Sequence, residues 1–309
     1  MCSDEVACHS VNPRSIIQTI FMVNSTTLKL LWQSMRPHQW LKNVFILTGL
    51  IFGHAFNQMR YVFPVFLCVI AFTLVASAGY IFNDLLDREM DARHPQKNHR
   101  PIASGKLSVY AAICWMLSLL FAGLGLGFYI SSNAFSLLIA YTLLTAMYSL
   151  KLKSIPWVEI LCIVTGFVLR ILLGTWGVGI TPSVWLISCG FLLALFLILA
   201  KRRSEQLLFK QQKSYLRNVL NQYKKSGLNN LVYWTAFLCF LVYTFYAVLH
   251  GMGFTIILVA LGLWRYLFLL QLRAKQQIEL DIAHEFFQDS ILQIIVVLWW
   301  VSVMFHLSQ

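Results

Sequence analysis

Acids are scarce in this chain. Only 12 Asp and Glu stand against 24 Lys and Arg in 309 residues, and all charged residues together make up 12%. A soluble globular chain carries about 25%, so a water-soluble fold is excluded. Metal-binding cysteine pairs are lacking too: the seven cysteines (2, 8, 68, 114, 162, 189 and 239) form no CxxC. Most lie in apolar runs and read as small buried residues, which leaves no zinc site and no disulfide framework. No HExxH occurs, because His284-Glu285 is not followed by a second histidine at the required spacing. The N-terminus, Met1-Cys2-Ser3-Asp4-Glu5, lacks the basic region of a cleavable signal peptide, so the first spanning helix is expected to direct insertion. What is abundant is apolar surface: 59% hydrophobic residues and a mean hydropathy of +0.69. The chain reads as an all-α polytopic membrane protein.

Residues 1–35 read as a tail, disordered over 1–14, followed by an interfacial helix or irregular lead-in over 15–32. Residues 36–309 form the transmembrane domain. Apolar runs of spanning length fall near 41–56, 63–82, 108–130, 134–150, 157–177, 183–200, 229–249, 252–272 and 289–307, which predicts nine crossings. Bases alternate between loops. Arg88 to Lys106, Lys151 with Lys153, Lys201 to Lys225, and Arg273 with Lys275 follow the even-numbered spans, whereas the odd-numbered loops carry only Arg60. Positive-inside orientation then places the N-terminus in the cytoplasm and the C-terminus outside the cell (inner) membrane. The net charge of +12 is accounted for by topology and anionic ligands, so nucleic acid is not an expected partner. Gly123-Leu124-Gly125-Leu126-Gly127 lies inside a span with no preceding strand, so it reads as close helix packing and not as a nucleotide loop.

One polar island breaks the second span: Asn83-Asp84-Leu85-Leu86-Asp87-Arg88-Glu89-Met90-Asp91. On a continuous helix Asp84, Asp87 and Asp91 share one face, bordered by Asn83. Like charges that close repel unless a cation lies between them, and clustered hard oxygens suit Mg²⁺ completed by phosphate. The reading is a Mg²⁺–diphosphate site at the cytoplasmic mouth of a cavity. The plain alternative is a solvated acidic helix end balanced by Arg88, Arg93 and Lys97.

Other polar groups gather on the same side. Lys97 and Arg100, in a turn-rich loop, are suited to phosphate oxygens. Tyr148 and Lys151 precede Glu159, an acid at the start of an apolar helix, where it needs a partner or a metal. Arg170 lies three turns further along that helix and is expected to face the interior, either on a buried phosphate or in a structural pair. Lys201 and Arg202 close the sixth span at the cavity mouth. Arg265 in the eighth requires a partner, and Asp281 and Glu285 are placed to pair with basic loops.

These motifs resemble the UbiA-type intramembrane prenyltransferase superfamily: NDxxDxxxD at 83–91, YSxxLK at 148–153, and nine spans from about Arg36 onward. The usual second DxxxD is absent, since Lys201-Arg202-Arg203-Ser204-Glu205 stands near its place. A narrower branch, the decaprenyl-phosphate phosphoribosyltransferases, is more similar. Its likeness runs through Arg36-Pro37-His38-Gln39-Trp40-Leu41-Lys42-Asn43, the loop from His94 to Gly105, Gly166 to Arg170 and Ala200 to Arg202. Glu159 stands where that branch usually has Asp.

The resemblance implies transfer of a 5-phosphoribosyl group from phosphoribosyl diphosphate to a polyprenyl (decaprenyl-like) phosphate, for cell-wall or glycolipid synthesis. Mg²⁺ would be held by Asp84 and Asp87 with help from Asn83 and Asp91. Lys97, Arg100, Lys201 and Arg202 would hold phosphates, Lys42 or Arg170 would steer the lipid phosphate, and Asn43, Tyr148 and Lys151 would belong to the substrate-binding set. Membrane embedding is required, and a homo-oligomer is compatible. Two other readings stand beside it. A prenyltransferase that moves an isoprenyl chain from its diphosphate to an aromatic or quinone-precursor acceptor would share the acidic motif. A transporter would use intramembrane charges, but these cluster at one face instead of threading through.

Overall fold

A computed structural model describes residues 26–53, 55–94, 97–209, 225–276 and 282–307. Among the described residues every regular element is helical. Residues 26–34 form α1, so only the end of the expected interfacial segment is described. A 3-10 segment, Pro37–Asn43, leads into α2 (Val44–Phe52). The long helices are α3 (Met59–Leu86), α5 (Val109–Ile130), α6 (Ser132–Leu150), α7 (Val158–Gly174), α8 (Val184–Phe209), α9 (Lys225–Leu249) and α10 (Thr255–Gln276). Short α4 (Arg88–Arg93) follows α3, and α11 (Ile282–Gln288) precedes α12 (Ser290–Leu307).

Seven described helices have the length and apolarity to cross a bilayer, not nine. The runs expected to be the first and last crossings are the shorter ones. The first divides into a 3-10 segment and a helix of 9 residues, about 13 Å at 1.5 Å per residue, and the last is α12 with 18 residues. Hydropathy alone does not register that the chain turns at Gly53 and that α2 is wedged against α7. A Cβ on Gly49 would lie 2.0 Å from the Gly174 carbonyl oxygen, and one on Gly174 would lie 1.8 Å from that of Ile46. Only glycine allows backbones this near.

Long apolar side chains cover the outer surface: Phe121, Phe128, Trp264 and Val301 are all more than 60% exposed. In water such a belt would be an aggregation surface, and against acyl chains it is satisfied. The molecule is an integral membrane protein. Inside, Ile46, Phe72, Leu138 and Leu173 join α2, α3, α6 and α7. Ile160, Phe167, Phe196, Leu228 and Leu263 join α7 to α10. Gly123 lies against Val75 and the Ala71 carbonyl, so the glycine run of α5 serves helix packing against α3.

Candidate active site

The polar ends of α3, α6, α7 and α8, with the 3-10 segment, surround a cavity of about 920 Å³. Its wall is strongly cationic. Arg36, Lys42, Lys97 and Arg100 line it together with Lys106, Arg170, Lys201 and Arg202, whereas the acids of the lining are Asp84 and Glu205. His38, His94 and His99 add ionisable surface. Partial burial and the charges of Lys97 and Arg100 hold His94 below the usual histidine value, against the opposing pull of Asp91.

The acidic island opens where α3 ends. Asp87 leaves helical geometry (φ −90°, ψ 5°) and separates α3 from α4. That break redistributes the three carboxylates. Asp84 and Asp91, both buried, converge on Arg100, whose Nη1 donates to Asp84 Oδ1 at 3.0 Å and to Asp91 Oδ2 at 2.5 Å. Arg36 also donates to Asp84. Asp87 lies elsewhere: Lys153 Nζ donates to its Oδ1 at 2.5 Å, and Asn83 Nδ2 to its Oδ2 at 3.1 Å. Among the described residues no three acids, histidines or cysteines converge on one metal position. Asp84 and Asp91 do fit a divalent ion chemically. They are hard oxygen donors that already meet at one cation, with the guanidinium of Arg100 standing there.

Arg36 is held in a costly conformation. Its φ of 53° is unusual for a residue with a Cβ and costs about 1–3 kcal/mol. Its guanidinium pairs with Asp84 and stacks 5.5 Å from the Tyr80 ring. Trp40 anchors the segment that follows by donating to the Met35 carbonyl at 3.2 Å and to Ser77 on α3 at 3.3 Å. Helix α11 packs on the same 3-10 segment. It is pinned by Arg273 to Glu285, while Arg265 donates to Asp289 at 2.6 and 3.2 Å. The partner sought for Arg265 is thus Asp289, and Asp281 lies outside the described residues.

Glu159 is buried and lies 3.0 Å from Arg202 Nη2. Glu205 Oε2 accepts from Arg202 Nη1 at 2.5 Å. Glu159 therefore holds a cation of the wall in place. Lys151 is exposed, and neither it nor Lys153 lines the cavity; Lys153 pairs with Asp87 instead. Tyr148, Lys42, Lys97 and Lys201 do line the cavity, and Asn43 sits behind it, bonded to Arg170. Arg36, Lys153, Glu205 and Tyr141 are not among the site residues expected from sequence. Arg36 carries one signal, a base directly before an apolar run.

Comparison with known proteins accords with this geometry. The UbiA prenyltransferase family matches over residues 43–291. A decaprenyl-phosphate phosphoribosyltransferase of Corynebacterium glutamicum is 33% identical over 63% of the chain and 60% of that protein. One of Mycobacterium tuberculosis is 28% identical over 63% of the chain and 66% of that protein. The chain thus spans less than two thirds of the length of these relatives. A UbiA homologue of Archaeoglobus fulgidus bound to GPP and Mg²⁺ superposes with a TM-score of 0.70 at 17% identity, covering 91% of this chain and all of that one. The chain belongs to the UbiA prenyltransferase family.

Proposed function

We propose that this protein transfers a 5-phosphoribosyl group from phosphoribosyl diphosphate to a polyprenyl phosphate and releases diphosphate. The observation that carries the reading is the cationic excess of the cavity: among the described residues eight Lys and Arg line it against two acids. That is more positive charge than one diphosphate calls for, and it suits a donor with three phosphates meeting a phosphorylated acceptor. The similarity to two phosphoribosyltransferases supports the same reading.

Asp84 and Asp91, with Asn83 and Asp87 adjoining, are the residues that would hold Mg²⁺. When bound, the ion supplies charge neutralisation for the departing diphosphate. The chain's own bases do the rest. Arg100 and Arg36 are drawn from the carboxylates toward the donor's phosphates, where a guanidinium binds as a fork. Lys97, Lys106, Lys201 and Arg202 surround the remaining oxygens, and Glu159 and Glu205 keep Arg202 in position. A lipid phosphate oxygen attacks C1 of the ribose as the C1–O bond to diphosphate breaks. The nucleophile is already an anion, so no strong base is required. The polyprenyl tail lies along the apolar helices. By the positive-inside pattern the cavity opens to the cytoplasm and the enzyme resides in the cell membrane.

Isoprenyl transfer from an isoprenyl diphosphate is the second reading, favoured by the fold shared with the GPP-bound homologue. Supplying the purified protein and Mg²⁺ with either phosphoribosyl diphosphate and polyprenyl phosphate, or geranyl diphosphate and an aromatic acceptor, separates the two. Consumption of phosphoribosyl diphosphate alone is the expected outcome, and turnover of geranyl diphosphate alone would replace the first reading with the second.

A further inference from the structure

Among the described residues Arg170 is a buried cation without a counter-ion. It is 4% exposed and sits about three turns into α7, yet it lines the cavity. Its hydrogen-bond partners are all neutral. Nε donates to Asn43 Oδ1 at 3.0 Å, Nη1 to the Gly166 carbonyl at 2.7 Å, and Nη2 reaches the Tyr141 hydroxyl at 3.5 Å. None of the described carboxylates forms an ion pair with it. Three rings surround the guanidinium, Phe72 at 4.5 Å and Tyr141 and Phe167 each at 5.3 Å.

The arrangement is built to hold the group in one orientation. Asn43 Nδ2 donates to Thr73 Oγ1 at 2.8 Å, and Thr73 in turn donates to the Val69 carbonyl. The amide of Asn43 is thereby fixed with its oxygen toward Arg170. Gly166 puts no side chain over Nη1; a Cβ there would lie 3.6 Å from it. A guanidinium carries five N–H donors, so one on each terminal nitrogen is left for a ligand on the cavity side. Taking a cation out of water without a compensating charge is expensive. An anion with two oxygens at fork spacing is the ligand that answers both the charge and the donors.

We propose that Arg170, oriented by Asn43 and boxed by Phe72, Tyr141 and Phe167, seats the phosphomonoester group of a substrate, apart from the acids that face the diphosphate. Two sources share this chemistry: the head of a polyprenyl phosphate and the 5-phosphate of phosphoribosyl diphosphate. The seat rests on the phosphoribosyl reading only for the choice of probes. Binding without product would leave the seat standing and sink that reading.

The test is equilibrium binding to the full-length protein in detergent, with three probes: polyprenyl phosphate, the same polyprenol without phosphate, and phosphoribosyl diphosphate with Mg²⁺. Asn43→Asp gives Arg170 an internal carboxylate. It should weaken one phosphate-bearing probe at least about tenfold, about 1.4 kcal/mol, while polyprenol stays within about twofold. The probe that weakens names the source. Arg170→Gln should act likewise, and Arg170→Lys, which keeps charge without the fork, should fall between Gln and wild type. That ordering carries the test if Asn43→Asp does not yield folded protein. Unchanged affinity for both phosphate probes in Arg170→Gln would overturn the proposal. So would equal losses for polyprenol and its phosphate, which would make Arg170 a packing residue.

Discussion

Asp84 and Asp91 meet at a single nitrogen, Arg100 Nη1, 3.0 Å from one carboxylate and 2.5 Å from the other. Two buried acids thus share one base from the loop that follows them, and Arg36 brings a second cation to Asp84. In this state the carboxylates and the arginines proposed to bind phosphate are partners of each other. On the proposed reaction, substrate phosphate and a divalent ion would take opposite halves of the same pair.

Arg100→Gln should therefore bind Mg²⁺ more readily without substrate. Its thermal midpoint should rise more on adding Mg²⁺ than that of the wild type, since a ligand that binds the folded form stabilises it according to its affinity. Asp84→Asn should lose the Mg²⁺-dependent rise, and its turnover should drop at least about 100-fold. Thermal shift with and without the ion checks both. Equal shifts in all three proteins would contradict the shared-cation account.

Arg202 stands between two buried glutamates, 3.0 Å from Glu159 and 2.5 Å from Glu205. Removing the cation takes an ion-pair partner from two carboxylates, whereas removing one glutamate leaves the other pair in place. Breaking a buried pair by deleting one partner costs about 3–5 kcal/mol. Arg202→Met should reach that range and Glu159→Gln should fall well below it. Unfolding midpoints in one detergent order the two, and the reverse order would refute the assignment.

His94 is held below the ordinary histidine value by burial and by Lys97 and Arg100. The unfolded chain then binds the proton more tightly. Stability rises with pH through the window below the ordinary value and is lost as pH falls through it. The wild-type midpoint should drop more steeply between about pH 7 and pH 5 than that of His94→Gln. Parallel curves would remove His94 from the acid limb.

Gly174→Ala should disrupt the contact between α2 and α7, because its Cβ would lie 1.8 Å from the Ile46 carbonyl oxygen. Overpacking costs about 1–3 kcal/mol and more where backbone must move. Gly125→Ala meets nothing within 4 Å and should keep the wild-type midpoint. A stable, monodisperse Gly174→Ala protein would show that α2 is not wedged as described.

Much of this was legible in the sequence. The run at 63–82 became α3 and that at 108–130 became α5 within a few residues, because a lipid-facing helix must be continuously apolar. Asp84, Lys97, Arg100 and Lys201 were identified and all line the cavity. The pairings were not legible. Arg36 reaches Asp84 across 48 positions and Lys153 reaches Asp87 across 66, separations that leave no periodic trace. Lys151 was expected among the substrate-binding residues. The chain turns there through a short 3-10 helix, Leu152–Ser154, and Lys153 is the lysine that meets Asp87. Helical spacing also grouped Asp87 with its neighbours, and the break at Asp87 itself undid the shared face.

The most direct measurement is mass spectrometry of the lipids formed when purified protein is given labelled phosphoribosyl diphosphate, polyprenyl phosphate and Mg²⁺. The account predicts a phosphoribosyl-bearing polyprenyl phosphate with one diphosphate released per product, lost in Asp84→Asn. Intact phosphoribosyl diphosphate in that reaction, with geranyl diphosphate consumed in a parallel reaction that holds an aromatic acceptor, would contradict it.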